Sequence, residues 1–335
     1  RGVYIDQALN VVYPADVSQD RPLDVFMAHM DVVFSDETEL PLRVEDGRIY
    51  CPGVGDDTAC LVCLLLAGKY IARHVDSPSW REIRGEDAPG LLLVCNAGEE
   101  GLGNLKGVRK ICEDYGGRIK SFCTFDSSLS SIVDRAVGSK RFRVKVRTRG
   151  GHSYNDFGND NAIAGLASLV GKLYKIQVPE GGKTTYNVGM ISGGTSVNTI
   201  AQEAEMLYEF RSDKRENLEY MERQFMEVLD RAKAEGMDVS FQVIGVRPCE
   251  GQVDPAQKQA LTDWAHRVVE EMTGQAPKHH AGSTDCNIPL SLGIPSVCVG
   301  SFRGAGAHTR EEYVETDSLE EGYKVAFGMI FGRRD

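Results

Sequence analysis

Four short apolar runs in this chain each lead into a residue able to bind a metal ion or carry a proton, and that arrangement limits the folds open to it. VFMA passes directly into His29-Met30-Asp31, LLLVCNA into Gly98-Glu99-Glu100, SFCTF into Asp126, and VCVG into a loop closing with Ala307-His308-Thr309. Apolar runs of this length between longer amphipathic stretches read as buried strands alternating with helices. Strands are expected at 23–28, 90–97 and 120–125, and helices near 58–73 and 104–115. The pattern resumes after residue 255 with a helix at 256–272, a strand in PSVCVG and a last helix from about Asp317. It predicts an α/β catalytic domain around a mostly parallel, mixed sheet. The carboxyl ends of parallel strands share one crevice, so these remote groups should converge there.

Between the two α/β parts the reading changes to strand 140–148, helix 159–177, strands 185–192 and 203–211, helix 216–235 and strand 238–247. That order is a ferredoxin-like βαββαβ unit. Leu218, Met221, Phe225, Val228, Leu229 and Ala232 recur at helical steps of three and four, giving the second helix one apolar face. The 335 residues fit about two domains: a catalytic one from 1–138 and 248–335, and an inserted one from 139–247. In KRFRVKVRTR basic residues alternate with Phe142, Val144 and Val146, as in a strand with one wet face. The charged, Pro- and Gly-containing segment 76–89 reads as an exposed connection.

With 38 basic against 49 acidic residues the net charge is −11, which disfavours nucleic acid or an anionic membrane as partner. The longest apolar run, within Leu61–Ala67, is far too short to span a bilayer, and no targeting segment is visible. Nine dispersed cysteines suit a reducing compartment, so a cytoplasmic location is expected. Cys60 and Cys63 form a C-x-x-C without a second pair, and read as small core residues one helical turn apart.

Each candidate ligand taken alone has a structural explanation. Asp56-Asp57, after Gly53 and Gly55, suits a turn capping the following helix, and a Glu pair is ordinary solvated surface. Together they resist it, because carboxylates following buried strands repel one another and need a proton or cation to coexist. His29, Asp56, Glu100, Asp126 and His308 are too many for one tetrahedral zinc, but suit two zinc ions, or cobalt or manganese, sharing a bridging carboxylate. Glu99 is left over, and its expected role is general base: it takes a proton from the metal-activated water that attacks the scissile carbonyl and returns it to the leaving amine. Asp31, two residues beyond His29 on extended backbone, is expected to accept the imidazole's other N–H.

The set H-M-D, G-V-G-D-D, G-E-E-G, F-D and A-H-T-R-E-E-Y-V resembles, in order and over nearly the whole chain, the co-catalytic zinc metallopeptidases that include peptidase T, dipeptidases, carboxypeptidase G and the desuccinylase and deacetylase amidohydrolases. The resemblance implies that His29 and Asp126 bind one zinc and Glu100 and His308 the other, with Asp56 bridging, Glu99 as base and a cis Asp56–Asp57 peptide. It further implies that the inserted domain is a lid through which a homodimer forms, and that His152 of G-G-H-S-Y reaches the partner's active site. Asn198 and Arg211 match substrate-holding positions, and Gly282, Ser283, Thr284 and Asp285 resemble a glycine-rich substrate loop. Asp126 in place of Glu, and the phrases GEEGLGNLKG and GGHSYNDFGN, look most like peptidase T-like members acting on short peptides. Deacylation of N-acyl amino acids, carboxypeptidase action and a non-catalytic binding protein of the same fold are the alternatives. Thr58 and Cys60 stand where many relatives carry Lys and Gly.

Overall fold

The strand Leu23–His29 is buried at every position, which only a strand covered on both faces can be. A computed structural model describes residues 2–18, 20–34, 39–85 and 87–332. The chain divides into two compact units, Arg1–Ala136 with Glu250–Asp335, and Val137–Cys249.

In the first unit an eight-stranded sheet runs in the order Tyr4–Ile5, Val11–Ala15, Gly90–Asn96, Leu23–His29, Ile119–Phe125, Ser296–Val299, Ser131–Ala136 and Lys278–Gly282. The four central strands, Gly90–Asn96 to Ser296–Val299, are mutually parallel. The pleat sends alternate residues to opposite faces. Phe26 and Ala28 meet Leu64, Ala67 and Ile71 of helix Cys60–His74 and Val325 and Ile330 of helix Ser318–Phe331. Val25 and Met27 join Val108 and Ile111 of helix Lys106–Tyr115 in the other core. Cys60 and Cys63 are buried on their helix, as expected of core thiols.

Three departures from the sequence reading have physical causes. The flanking strands carry no apolar run: Lys278–Gly282 reads KHHAG and is largely exposed, while Val11–Ala15 is interrupted by Pro14. The segment 76–89, apart from Glu86, which lies outside the described residues, is not simply an exposed connection. It forms the helix Pro78–Arg84, anchored by buried Trp80 and by Arg84, which reaches Asp24 at 3.6 Å. The helix expected at 159–177 is the shorter Ala162–Leu173, begun by Asn161, whose side chain accepts the Ile163 and Ala164 amides.

The second unit is a four-stranded antiparallel sheet, Thr184–Gly193, Glu203–Ser212, Gly138–Arg147 and Asp238–Arg247, the strand order of a ferredoxin-like unit. Helices Ala162–Leu173 and Arg215–Ala234 cover one face, packing Leu166, Leu169 and Phe225 on Phe142, Val144 and Tyr208. On the other face the basic residues of Gly138–Arg147 meet a glutamate ladder, with Arg141–Glu209 at 3.2 Å, Lys145–Glu205 at 3.2 Å and Arg147–Glu203 at 3.0 Å.

Phe225 lies between Phe142, 4.3 Å away between centroids, and Tyr208, 5.5 Å away. Truncating it leaves a cavity that rigid strands cannot close. Phe225→Ala is expected to destabilise this unit by about 3–5 kcal/mol, read as a lowered denaturant midpoint.

Candidate metal centre

Strand ends and the loops beside them deliver the ligands. His29 is the last residue of its strand and pairs in register with Asn96, three residues before Glu99. Asp126 follows Phe125, whose register partner is Val299. Asp56 and Asp57 sit on a loop before helix Cys60–His74 and are joined by a cis peptide bond. His308 lies on the loop after Ser296–Val299.

The side chains meet. Nε2 of His29 is 2.9 Å from Oδ1 of Asp56, and Nε2 of His308 is 3.1 Å from Oδ2 of the same carboxylate. Asp56 thus offers one oxygen to each imidazole. His308 Nε2 is also 3.1 Å from Oε1 of Glu100. Donor atoms of His29, Asp57 and Asp126, of His29, Glu99 and Glu100, and of Asp56, Glu100 and His308 form three groups, each within 4.8 Å.

Two further carboxylates hold the loops. Asp31 accepts the backbone N–H groups of Gly98, Glu99 and Glu100 at 2.8, 3.2 and 2.9 Å. This corrects the expectation that its carboxylate binds the imidazole: His29 Nδ1 instead meets the Asp31 backbone carbonyl at 2.9 Å, with the carboxylate 3.9 Å away. Glu312 accepts the N–H groups of Gly53, Gly55 and Asp56 at 2.6, 2.9 and 2.8 Å. A Cβ at Gly55 would approach the Phe302 ring to 2.7 Å and Glu312 to 3.0 Å, so a side chain there would obstruct the clamp. Asp57 accepts the His29 N–H at 2.8 Å. Sequence reasoning assigned no role to Glu312, since its work is to hold backbone and no spacing reports it.

Charge tests whether this donor set fits a metal. Nδ1 of His29 faces a carbonyl, which only accepts, so a neutral His29 turns a lone pair toward the Asp56 carboxylate. Acceptor against acceptor needs a proton or a cation between them. Accordingly, burial works against charging His29, but Asp57, Asp56, Asp126 and Glu99 raise its pKa well above the ordinary range. Burial pushes Asp126 up to about 7, with Asp56, Glu99 and Glu100 adding to the rise. Glu100 is likewise raised to about 7 by burial and by Asp56 and Glu99. Burial also acts on Asp56, but hydrogen bonds and charge from His29 and His308 outweigh it and hold its carboxyl low. Nitrogen and oxygen donors crowded with excess negative charge suit divalent cations.

Asp285, expected only as part of the substrate loop, is buried, accepts the Asn96 side-chain amide at 2.8 Å, and is raised to about 8 by burial and the charge of Glu99. Thr284 is buried in the same loop, its hydroxyl accepting the Cys286 amide at 3.2 Å, and Ser283 precedes it. A cavity of about 280 Å³ borders Asp56 and Asp126, walled by Ser128, Phe302, Ala307 and Glu312.

The remaining predicted residues lie in Val137–Cys249. His152 is exposed, and its Nδ1 accepts the amides of Tyr154 and Asn155 at 3.2 and 3.4 Å. Asn198 accepts the Ser196 hydroxyl at 2.6 Å. The Arg211 guanidinium is engaged by Glu209 at 2.9 and 3.1 Å.

A model of peptidase family M20/M25/M40 matches residues 25–331, taking in every strand end described above. The chain belongs to peptidase family M20/M25/M40. It is a hydrolase of that metal-dependent peptidase and amidohydrolase type. Its fold is like that of aminopeptidase PepT from Bacillus cereus, at TM-score 0.69 and 22% identity, covering 99% of this chain and 88% of that one. It is also like that of a tripeptidase from Staphylococcus aureus, at TM-score 0.72 and 22% identity, covering 98% and 87%. A succinyl-diaminopimelate desuccinylase of Nitrosomonas eutropha is 24% identical over 323 residues, 90% of this chain and 80% of the relative. Among the described residues no helix is long and apolar enough to cross a membrane.

Two expectations follow. In metal-free protein the folded state holds protons on Glu100, Asp126 and His29 that the unfolded chain releases at lower pH. Stability is therefore expected to fall as pH rises through about 7. Denaturant midpoints measured after chelation should be higher at pH 5 than at pH 8, and added metal should reverse the loss. Glu312→Ala frees three amides of the Asp56 loop and is expected to weaken metal binding about 10- to 100-fold, measured by equilibrium dialysis.

Proposed function

We propose that this chain hydrolyses the amide bond of short peptides, as an aminopeptidase or a di- or tripeptidase, with two zinc ions held by its strand-end ligands. The observation that carries the reading is Asp56, whose two oxygens each face a different imidazole, at 2.9 and 3.1 Å. His29 and Asp126 would hold one ion and Glu100 and His308 the other, with Asp56 shared. When bound, such a pair polarises a carbonyl and makes water acidic enough to ionise near neutral pH.

Glu99 supplies the proton traffic. It is 5% exposed, belongs to the donor group of His29 and Glu100, and is not needed as a ligand. Its loop is fixed by Asp31 through the amides of residues 98–100. A carboxylate so placed takes a proton from the attacking water and delivers it to the departing amine. Ser283 and Thr284 would help seat substrate beside it.

The Val137–Cys249 unit is assigned as the lid through which a homodimer forms. Its exposed Tyr154, Phe157, Met190, Ile191 and Val197 give that role apolar surface. His152, with Nδ1 occupied by backbone amides, presents Nε2–H as a donor for the partner's oxyanion. Asn198 and Arg211 are assigned to substrate binding, Arg211 exchanging Glu209 for a substrate carboxylate. A cytoplasmic location accords with the dispersed free cysteines.

The desuccinylase relative raises a second reading, deacylation of N-acyl amino acids. A panel of di- and tripeptides against N-acyl amino acids, run with zinc, cobalt and manganese, separates the two; turnover confined to the acyl compounds would overturn the peptidase reading. Glu99→Gln is expected to lower kcat by at least about 100-fold while metal content stays that of wild type. Unchanged kcat would remove Glu99 from the mechanism.

A further inference from the structure

A second histidine cluster lies in the Arg1–Ala136 and Glu250–Asp335 unit and shares no residue with the centre at His29. His266 stands on helix Pro255–Thr273 and His279 on strand Lys278–Gly282, beside Asp134 of strand Ser131–Ala136. Nδ1 of His266 is 2.9 Å from Nε2 of His279. The ring planes differ by 14° with centroids 5.2 Å apart, so the rings meet edge to edge. The outer nitrogen of each faces a carboxylate: Nδ1 of His279 is 2.8 Å from Asp134 Oδ2, and Nε2 of His266 is 3.8 Å from Glu270 Oε2.

Counting protons shows what this arrangement lacks. The Asp134 carboxylate only accepts, so His279 donates from Nδ1 and turns its Nε2 lone pair inward. His266 must then donate from Nδ1, which leaves a neutral His266 with a bare Nε2 toward the Glu270 carboxylate. That contact, at 3.8 Å between partly exposed groups, leaves room for one added positive charge. A cation bound between the inner nitrogens supplies it and lets both outer nitrogens donate to carboxylates, the pattern that orients metal-ligating histidines.

We propose that His266 and His279 form a binding site for a divalent transition-metal ion of the class imidazole prefers, Zn²⁺, Ni²⁺ or Cu²⁺. Bonds of about 2.0–2.1 Å at a tetrahedral angle place two ligand nitrogens about 3.3 Å apart. The pair therefore opens by a few tenths of an ångström and turns its lone pairs toward a common point, movements open to side chains that are 33% and 30% exposed. The ion displaces the Nδ1 proton of His266, which is taken up at Nε2 opposite Glu270. Water completes the coordination, entering from the adjoining cavity of about 550 Å³ bordered by His279, Asp134, Thr262 and Asp263. Metal so bound ties the helix to the sheet's edge strand.

The test uses holoenzyme with its family metal centre already loaded, titrated with Ni²⁺ by calorimetry, and with bound metal counted after dialysis. Wild type is expected to take up one further Ni²⁺ per chain. His266→Ala and His279→Ala should each lose it, and Asp134→Asn should bind it about 10- to 100-fold more weakly. In the wild type, Cu²⁺ at this site should show electron-spin couplings to two nitrogens. If wild type takes up no further ion, or either single histidine variant keeps wild-type affinity, the proposal is overturned. Circular dichroism verifies each fold, and His266→Gln and His279→Gln replace an alanine variant that does not fold.

Discussion

Everything in the His29 centre follows from gathering several carboxylates and two imidazoles at the carboxyl ends of buried parallel strands and on the loops beside them. Left to themselves these groups repel, and the protein meets the repulsion with raised proton affinities at Asp126, Glu100 and His29. A cation discharges the same repulsion and frees those protons, so metal affinity and proton affinity are two readings of one electrostatic deficit. The fold supplies the rest: strands buried on both faces cannot shift their ends to separate the charges.

Division of labour among the acids is set by what each carboxylate faces. Asp56 looks at two imidazoles, Asp31 and Glu312 at three backbone amides each, and Asp285 at a buried side-chain amide. The same functional group thereby serves as shared ligand, loop clamp or buried acid. Residue type announces none of these roles; the neighbouring donors do.

The sequence made the parallel strands legible because Leu23–His29 and Gly90–Asn96 are mostly apolar, Ile119–Phe125 carries a shorter apolar run, and each leads into polar residues. The inserted unit was readable from its alternating strand and the three-four spacing on Arg215–Ala234. Edge strands such as Lys278–Gly282 left no trace, since one exposed side removes the demand for apolar residues. Spacing predicted that Asp31 would share a side with His29, but could not know that three amides of the Gly98 loop would compete for its carboxylate. Arg211 carried a resemblance to a substrate position, while its engagement by Glu209 appears only once neighbouring strands are placed.

The two loop clamps bear on how the donor set is held ready for a metal ion. Hydrogen bonds from backbone amides to Asp31 and Glu312 fix the Glu99–Glu100 and Asp56 loops without help from an ion. Metal uptake at these donors is then expected to need ion encounter and proton release, with no rearrangement of the two clamped loops.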